Sequence, residues 1–430
     1  MFLKKIYTIL MVSALMMSCN TKDTQITDIE DYNKFLSLSE NKALNITKED
    51  HNFWEEKLEK NENQFPYNAK IAAAQSQLFQ LTGTIEHLAE AEKHLVEANV
   101  KTNYNNASYL RSLARNYISQ HKFKEALELL KKAETNGEKL ESTQKMLFDV
   151  HLELGNTTQA KQYLNTFIDY NGFDYLIRLA KWKDHEGDLA SAITYMEKAM
   201  ELAEYSKNDY LKQWSYTNLA DFYGHDGQIK KSYVYYLKAL ELEPQDAYAK
   251  KGIAWIVYSY ERNPEEALRI LNSITNYYNA PDYYLLKVDI AEYMNNNKVK
   301  ENNLNEFAVT VDKKYYGVMY NRHNALLLSN DKKSINKAYN IALEEVKNRP
   351  TAQSYDLLAW TLYKKGDVQK ALDIAKKHVV DKTYEPEVLF HLAQIYKVNG
   401  LYKEANKLQE ELLKSTYELG PLMEQQIKQL

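Results

Sequence analysis

"NLADFYGHDGQIKKSYVYYLKALELEP", residues Asn218 to Pro244, sets two apolar segments on either side of Gly224-His225-Asp226-Gly227. Large and small apolar residues recur at helical spacing on both sides, and Gly227 is the residue type that most readily takes the left-handed conformation ending a helix. The stretch reads as two helices closed by a short turn. Ala220 on the first helix and Ser232 on the second let the backbones approach, while the tyrosines around them fill the remaining space. His225 and Asp226 then fall where the first helix ends. Their counterparts in similar stretches, His185-Glu186, Lys364-Lys365 and Val398-Asn399, share no chemistry, so a turn is expected here and not a catalytic loop.

The arrangement recurs along the chain. Leu113-Ala114, Leu179-Ala180, Leu358-Ala359 and Leu392-Ala393 are each followed, 12 residues after the alanine, by another alanine: Ala126, Ala192, Ala371 and Ala405. Gly187, Gly366 and Gly400 stand five residues before the second alanine, and His121 takes that place before Ala126. A further copy has Leu147-Phe148, Gly155 and Ala160. Small residues at 126, 160, 192, 232, 267, 371 and 405 define a period near 34 residues, the mark of a stacked helical array. The gap after Ala267 leaves room for two degenerate copies in 280–350, with second helices expected near 299–311 and 334–346. The long interval from Ala192 to Ser232 is accommodated by a lengthened helix pair around 203–210.

These residues resemble the tetratricopeptide repeat. Leu219, Ala220, Tyr223, Gly227, Ser232, Tyr236, Ala239 and Pro244 occupy signature places, with Tyr216 where tryptophan is commonest. Leu392, Ala393, Tyr396, Gly400, Tyr402 and Ala405 do so again, while the unit with Leu358, Ala359, Gly366 and Ala371 departs at Ala375 and His378. The resemblance covers most of the chain from about residue 67. It implies an all-α, right-handed α-solenoid of about ten stacked helix-turn-helix repeats, with a concave groove that takes a protein or peptide ligand. The expected organisation is a signal peptide at 1–18, a lipid tether at 19–30, N-terminal capping helices at 31–66, the repeat array at 67–417 and a C-terminal cap at 418–430. In the N-terminal cap, Thr47 and Asp50 have capping-box spacing, and Phe53, Trp54 and Leu58 share about one helix face.

The opening residues "MFLKKIYTILMVSALMMSCN" combine a cationic start with an apolar run too short to span a bilayer, the pattern of a signal peptide. Leu15-Met16-Met17-Ser18-Cys19 resembles a bacterial lipobox. Acylated Cys19 is therefore expected to hold the protein in the bacterial cell envelope, with Asn20 favouring the outer membrane and the face left open. Cys19 is the sole cysteine, so an internal disulfide and a thiolate metal cage are excluded. With 55 basic and 59 acidic residues the net charge is −4, which offers no strong drive toward nucleic acid.

No catalytic, cofactor or metal site is expected. His87 and His94 are too far apart on one helix to share an ion, the acids around His185 bracket a turn, and Glu265-Glu266 read as solvated. The repeat resemblance implies that Arg111, Arg115, Trp214, Asp221, Asp356, Trp360, Tyr363, Phe390 and Gln394 face the groove. Arg111 and Arg115, four apart, could grip a carboxylate, and the aromatic residues could anchor apolar side chains. The function expected is a non-enzymatic, lipid-anchored envelope scaffold. The alternative is a surface lipoprotein capturing glycans or peptides, which would carry an exposed aromatic platform and a large non-repeat insertion, for which 280–350 is the longest candidate.

Overall fold

The structure, a computed structural model, describes residues 25–37, 40–313 and 315–430; the expected signal peptide and Cys19 lie outside the described residues. Every regular element among them is a helix. Ten antiparallel pairs follow one another. Pairs 1 to 5 are Pro66–Thr82 with Glu86–Lys101, Ala107–Ser119 with Phe123–Asn136, Leu140–Glu153 with Thr157–Leu164, Phe173–His185 with Leu189–Ser206, and Asp209–His225 with Ile229–Leu242. Pairs 6 to 10 are Ala247–Trp255 with Pro264–Thr275, Asp282–Tyr293 with Asn297–Val311, Asn321–Leu328 with Ile335–Asn348, Ala352–Lys365 with Val368–His378, and Pro386–Val398 with Tyr402–Leu412. The region 280–350 thus consists of two helix pairs and no insertion. In pair 6 the first helix continues as a π-helical turn over Ile256–Tyr260, the kind of local widening that accommodates a side chain or an incoming segment.

The small residues do what the pattern requires. Ala114, Ala126, Ala192, Ala220, Ser232, Ala359 and Ala371 are fully buried at the crossings within pairs, where a larger side chain would separate the helices. The turns leave the first helix through a left-handed residue: Gly187 has φ 78°, and where glycine is missing His121, Arg262 and Asn295 adopt φ 58°, 60° and 55°.

Single helices close both ends. Lys42–Lys60 packs on the first helix of pair 1 as a second helix would, and Thr416–Ile427, kinked at Gly420 (φ 77°, ψ 169°), packs beside the first helix of pair 10 and against the π-helical turn of pair 6. Each is half of a repeat. The Thr47 capping box is not formed: the helix starts six residues earlier, where Asn41 accepts from the Leu44 amide at 2.9 Å, and Thr47 lies inside it, bonded to the Ala43 carbonyl. Phe53 faces solvent, and of the expected apolar face Trp54 packs on Tyr67 at 5.4 Å.

A further helix, Ile29–Leu36, lies on the second helices of pairs 5 and 6 as a strap. Tyr32 is fully buried there and donates to Glu266 at 2.7 Å, and Lys34 pairs with Glu241 at 2.8 Å. The amides of Ile26 and Thr27 donate to Glu261 at 2.7 and 2.6 Å. Residues 25–30, expected as free tether, are therefore pinned to the body. Glu266, expected to be merely solvated, holds both Tyr32 and Arg269.

The array curves so tightly that its second superhelical turn rests on the first. The turn inside one pair meets the junction between two later pairs, at a nearly constant chain separation. Asn279 donates to Thr84 across 195 residues, and Arg349 to Glu153 across 196. Gly83 abuts the backbone of Ala280 and the ring of Tyr278, Gly155 abuts Pro350, and Gly187 abuts the ring of Tyr384. Gly224 then meets Tyr417 of the C-terminal helix. Only a chain of regular repeats keeps one such offset over five pairs, because the small rotation per repeat accumulates uniformly.

Candidate partner-binding face

The first helices of pairs 2 and 3, 5 and 6, 8 and 9, and 9 and 10 touch one another while no two second helices approach to that extent, so the first helices lie on the inner side of the curve. On pairs 3 and 4 the spacing of charges produces a ladder: Lys145 with Asp174 at 2.9 Å, Asp149 with Arg178 at 2.8 Å, and Glu153 with Lys181 at 3.0 Å. Arg349 reaches Glu153 from the second superhelical turn. Burial alone would raise the Glu153 carboxyl, but Lys181 and Arg349 more than offset it and hold it below its ordinary value.

A second row runs across pairs 5 to 10. Tyr236 and Tyr248 both donate to Asp221, the latter at 2.7 Å; Lys251 lies 3.5 Å from Asp282; Tyr320 donates to Asp282 at 3.2 Å; and Arg322 pairs with Glu387 at 2.7 Å. Burial lifts the Asp221 carboxyl, and the two phenols only partly counter it. In place of single anchors, the inner face offers preformed donors and acceptors held by neighbouring repeats.

The nine residues expected to face the groove divide in two. Arg111 is buried, donating to the Glu138 carbonyl at 2.8 Å and the Thr143 hydroxyl at 3.1 Å, so it ties pair 2 to pair 3. Arg115 is exposed and separate. The two do not form a carboxylate clamp, because one guanidinium is spent on repeat packing. Asp356, Trp360 and Phe390 are likewise buried. Asp356 lies 2.8 Å from His391 Nδ1, and the indole of Trp360 stacks on the His391 ring at 4.0 Å. Close approach of the first helices of pairs 9 and 10 turns these residues toward the neighbouring repeat and away from the groove. Trp214, Asp221, Tyr363 and Gln394 are half-buried. Trp214 meets Phe173 edge to face at 6.0 Å, and Tyr363 stacks on Trp360 at 5.0 Å.

The Tyr248–Asp221 and Arg322–Glu387 links were not expected from the sequence. They join one pair to the next across 27 residues and one pair to the second next across 65. The histidines considered above are held by amides: His87 lies 2.7 Å from Gln75, and His94 lies 2.6 Å from Asn68. Among the described residues no group of three or more histidine, cysteine or acidic side chains could hold a metal, and no helix is long and apolar enough to cross a membrane. His225, at the end of the first helix of pair 5, lies 3.1 Å from Glu418 and so helps to seat the C-terminal helix.

The tetratricopeptide repeat family model matches residues 215–246, the fifth pair. No curated protein matches the chain. Among solved structures, a human IFIT1 dimer with PPP-AAAA is 16% identical, covering 92% of this chain and 96% of that one at a TM-score of 0.41. A tetratricopeptide repeat protein from Parabacteroides merdae is 14% identical, covering 56% of this chain and 93% of that one at a TM-score of 0.34.

Proposed function

We propose that this chain, an α-solenoid carrying tetratricopeptide repeats, is a lipid-anchored scaffold of the bacterial cell envelope that holds a protein or peptide partner on the inner face of its curve. The observation that carries the reading is the polar row from Asp221 through Tyr248, Lys251, Asp282 and Tyr320 to Arg322 and Glu387, whose members are oriented by one another before any partner arrives. A surface already ordered loses little side-chain freedom on binding. Arg115, Trp214, Tyr363 and Gln394 extend it with exposed or half-buried groups. The anchor in this reading is acylated Cys19, and the outer membrane is its site.

Photo-crosslinking in cells tests the partner: a crosslinker at Arg115 or Tyr248 gives a discrete protein adduct, while one at Val234, exposed on a second helix, gives none. Equal adducts at all three positions reject the inner face. Cys19→Ser releases the chain from the membrane fraction if the anchor is real; unchanged fractionation rejects it.

A further inference from the structure

We propose that the chain associates head to tail with further copies of itself, continuing the seam between its superhelical turns from one molecule into the next. The seam has two sides. The turns inside pairs 1, 3 and 4 present Gly83, Gly155 and Gly187, and the later junctions seat Tyr278, Pro350 and Tyr384 against them. Each side also exists once without its complement. The turns of pairs 9 and 10 present Gly366 and Gly400, both with positive φ and with nothing within 4 Å of an added Cβ. The junctions on either side of pair 4 present Tyr170, Tyr205 and Tyr210, which are 58%, 88% and 62% exposed. Tyr210 is the second residue of its first helix, the place that Tyr417 holds in the helix Thr416–Ile427.

The two half repeats set the register. The C-terminal helix of one copy stands where a first helix would, and Lys42–Lys60 of the next copy stands where a second helix would, so together they supply the missing pair. Inside one chain the turn of pair 3 meets the junction after pair 8, and that of pair 4 meets the junction after pair 9. Carried across the composite pair, the same step brings the turn of pair 8 to the junction after pair 2 of the next copy. It brings pair 9 to the junction with Tyr170, and pair 10 to the junction with Tyr205 and Tyr210.

Charge supports this register at each position. Lys332 and Lys333 at the turn of pair 8 would meet Glu138; Lys364 and Lys365 beside Gly366 would meet Asp169; Lys403 after Gly400 would meet Glu204. All eight residues are exposed, and Glu204 already accepts from the Tyr216 hydroxyl at 2.7 Å. Opposite signs steer such an encounter and fix its alignment. A heterologous contact of this kind does not close on a two-fold axis, so it grows into an open helical chain of molecules.

Sedimentation velocity of the full chain in density-matched detergent is the test, with two variants that block opposite ends: Tyr170→Asp/Tyr210→Asp at one, Lys332→Glu/Lys365→Glu at the other. The wild type is expected to grow in mass with concentration beyond two copies, and each variant to sediment as a monomer. An equimolar mixture of the variants, which retains one intact end of each kind, is expected to recover a one-to-one dimer that grows no further. That recovery also shows both variants to be folded. A wild type that stays monomeric or stops at a symmetric dimer, variants that assemble like the wild type, or a mixture that stays monomeric overturns the proposal.

Discussion

The ring of Tyr384 lies against Gly187, so close that a Cβ added to the glycine would stand 2.6 Å from the ring. The contact joins the turn of pair 4 to the junction before pair 10, and it exists because the array completes a superhelical turn between them.

Gly187→Ala is therefore expected to destabilise the fold by about 2–4 kcal/mol, combining the left-handed backbone with overpacking against Tyr384. Gly366→Ala shares the positive φ but meets nothing within 4 Å, so its cost is the backbone share, about 1–2 kcal/mol. Chemical denaturation of the two variants measures the difference. Equal losses would mean that the two superhelical turns do not press together at this point.

The strap offers a second comparison. Tyr32 is 1% exposed, and its hydroxyl reaches Glu266. Tyr32→Ala removes a buried aromatic ring, a change that costs about 3–5 kcal/mol in a core; here the loss falls on the docking of an eight-residue helix. Limited proteolysis is expected to cleave the variant ahead of Asn41 while pairs 1 to 10 stay resistant. Tyr32→Phe, which keeps the ring, is expected to stay largely protected. A Tyr32→Ala chain as resistant as the wild type would show that the strap is held by its polar contacts alone.

The pH dependence of the C-terminal helix follows from His225. Burial alone would lower the imidazole, but Glu418 at 3.1 Å, with Asp221 and Asp184 nearby, pushes it up to about 9. Glu385 also faces this group. Since the folded value lies above the ordinary 6.5, the contribution is complete below about 6.5 and is lost as the pH rises through about 9. Deprotonation also leaves Asp184, Glu385 and Glu418 facing one another, with Arg322, beside Glu385, as the remaining cation. Hydrogen-exchange protection of Thr416–Ile427, corrected for intrinsic rates, is expected to fall between pH 6 and pH 9.5 in the wild type and to be low at both in His225→Gln. Equal wild-type protection at the two values would remove His225 from this role.

The pairwise architecture was legible because its cause is local. A glycine or its substitute five residues before a small second-helix residue specifies one hairpin, and repetition specifies the stack. The degenerate pairs 7 and 8 form without that spacing: five residues after the left-handed Asn295 stands Lys300, and Lys333, five before Ala338, has no positive φ. The seam was not legible: whether Tyr384 reaches Gly187 depends on small rotations summed over five repeats, and no single residue encodes that sum. The same limit explains the site residues. Helical phase placed Asp356, Trp360 and Phe390 on inward-turned positions, but the closeness of the neighbouring first helix, which phase does not contain, buries them. Thr47 misled for a different reason: Asn41, an equally good cap, lies upstream of residues that can still extend the helix.

The pair Asp356–His391 separates packing from recognition on the inner face. Both side chains are nearly inaccessible, 2% and 4% exposed, and Trp360 stacks over the imidazole. Asp356→Ala leaves a buried histidine without its acceptor, a loss of about 1–3 kcal/mol. Asp356→Asn, which can still offer a carbonyl oxygen, is expected to lose less. Arg115→Ala, at an exposed position with no packing role, is expected to leave stability within about 0.5 kcal/mol of the wild type. Partner capture should respond in the opposite order, weakened by Arg115→Ala and unchanged by Asp356→Asn at temperatures where both variants are folded. Thermal unfolding and quantitative crosslinking on the same samples give both readings. Weaker capture by Asp356→Asn with stability intact would return this buried pair to the binding face.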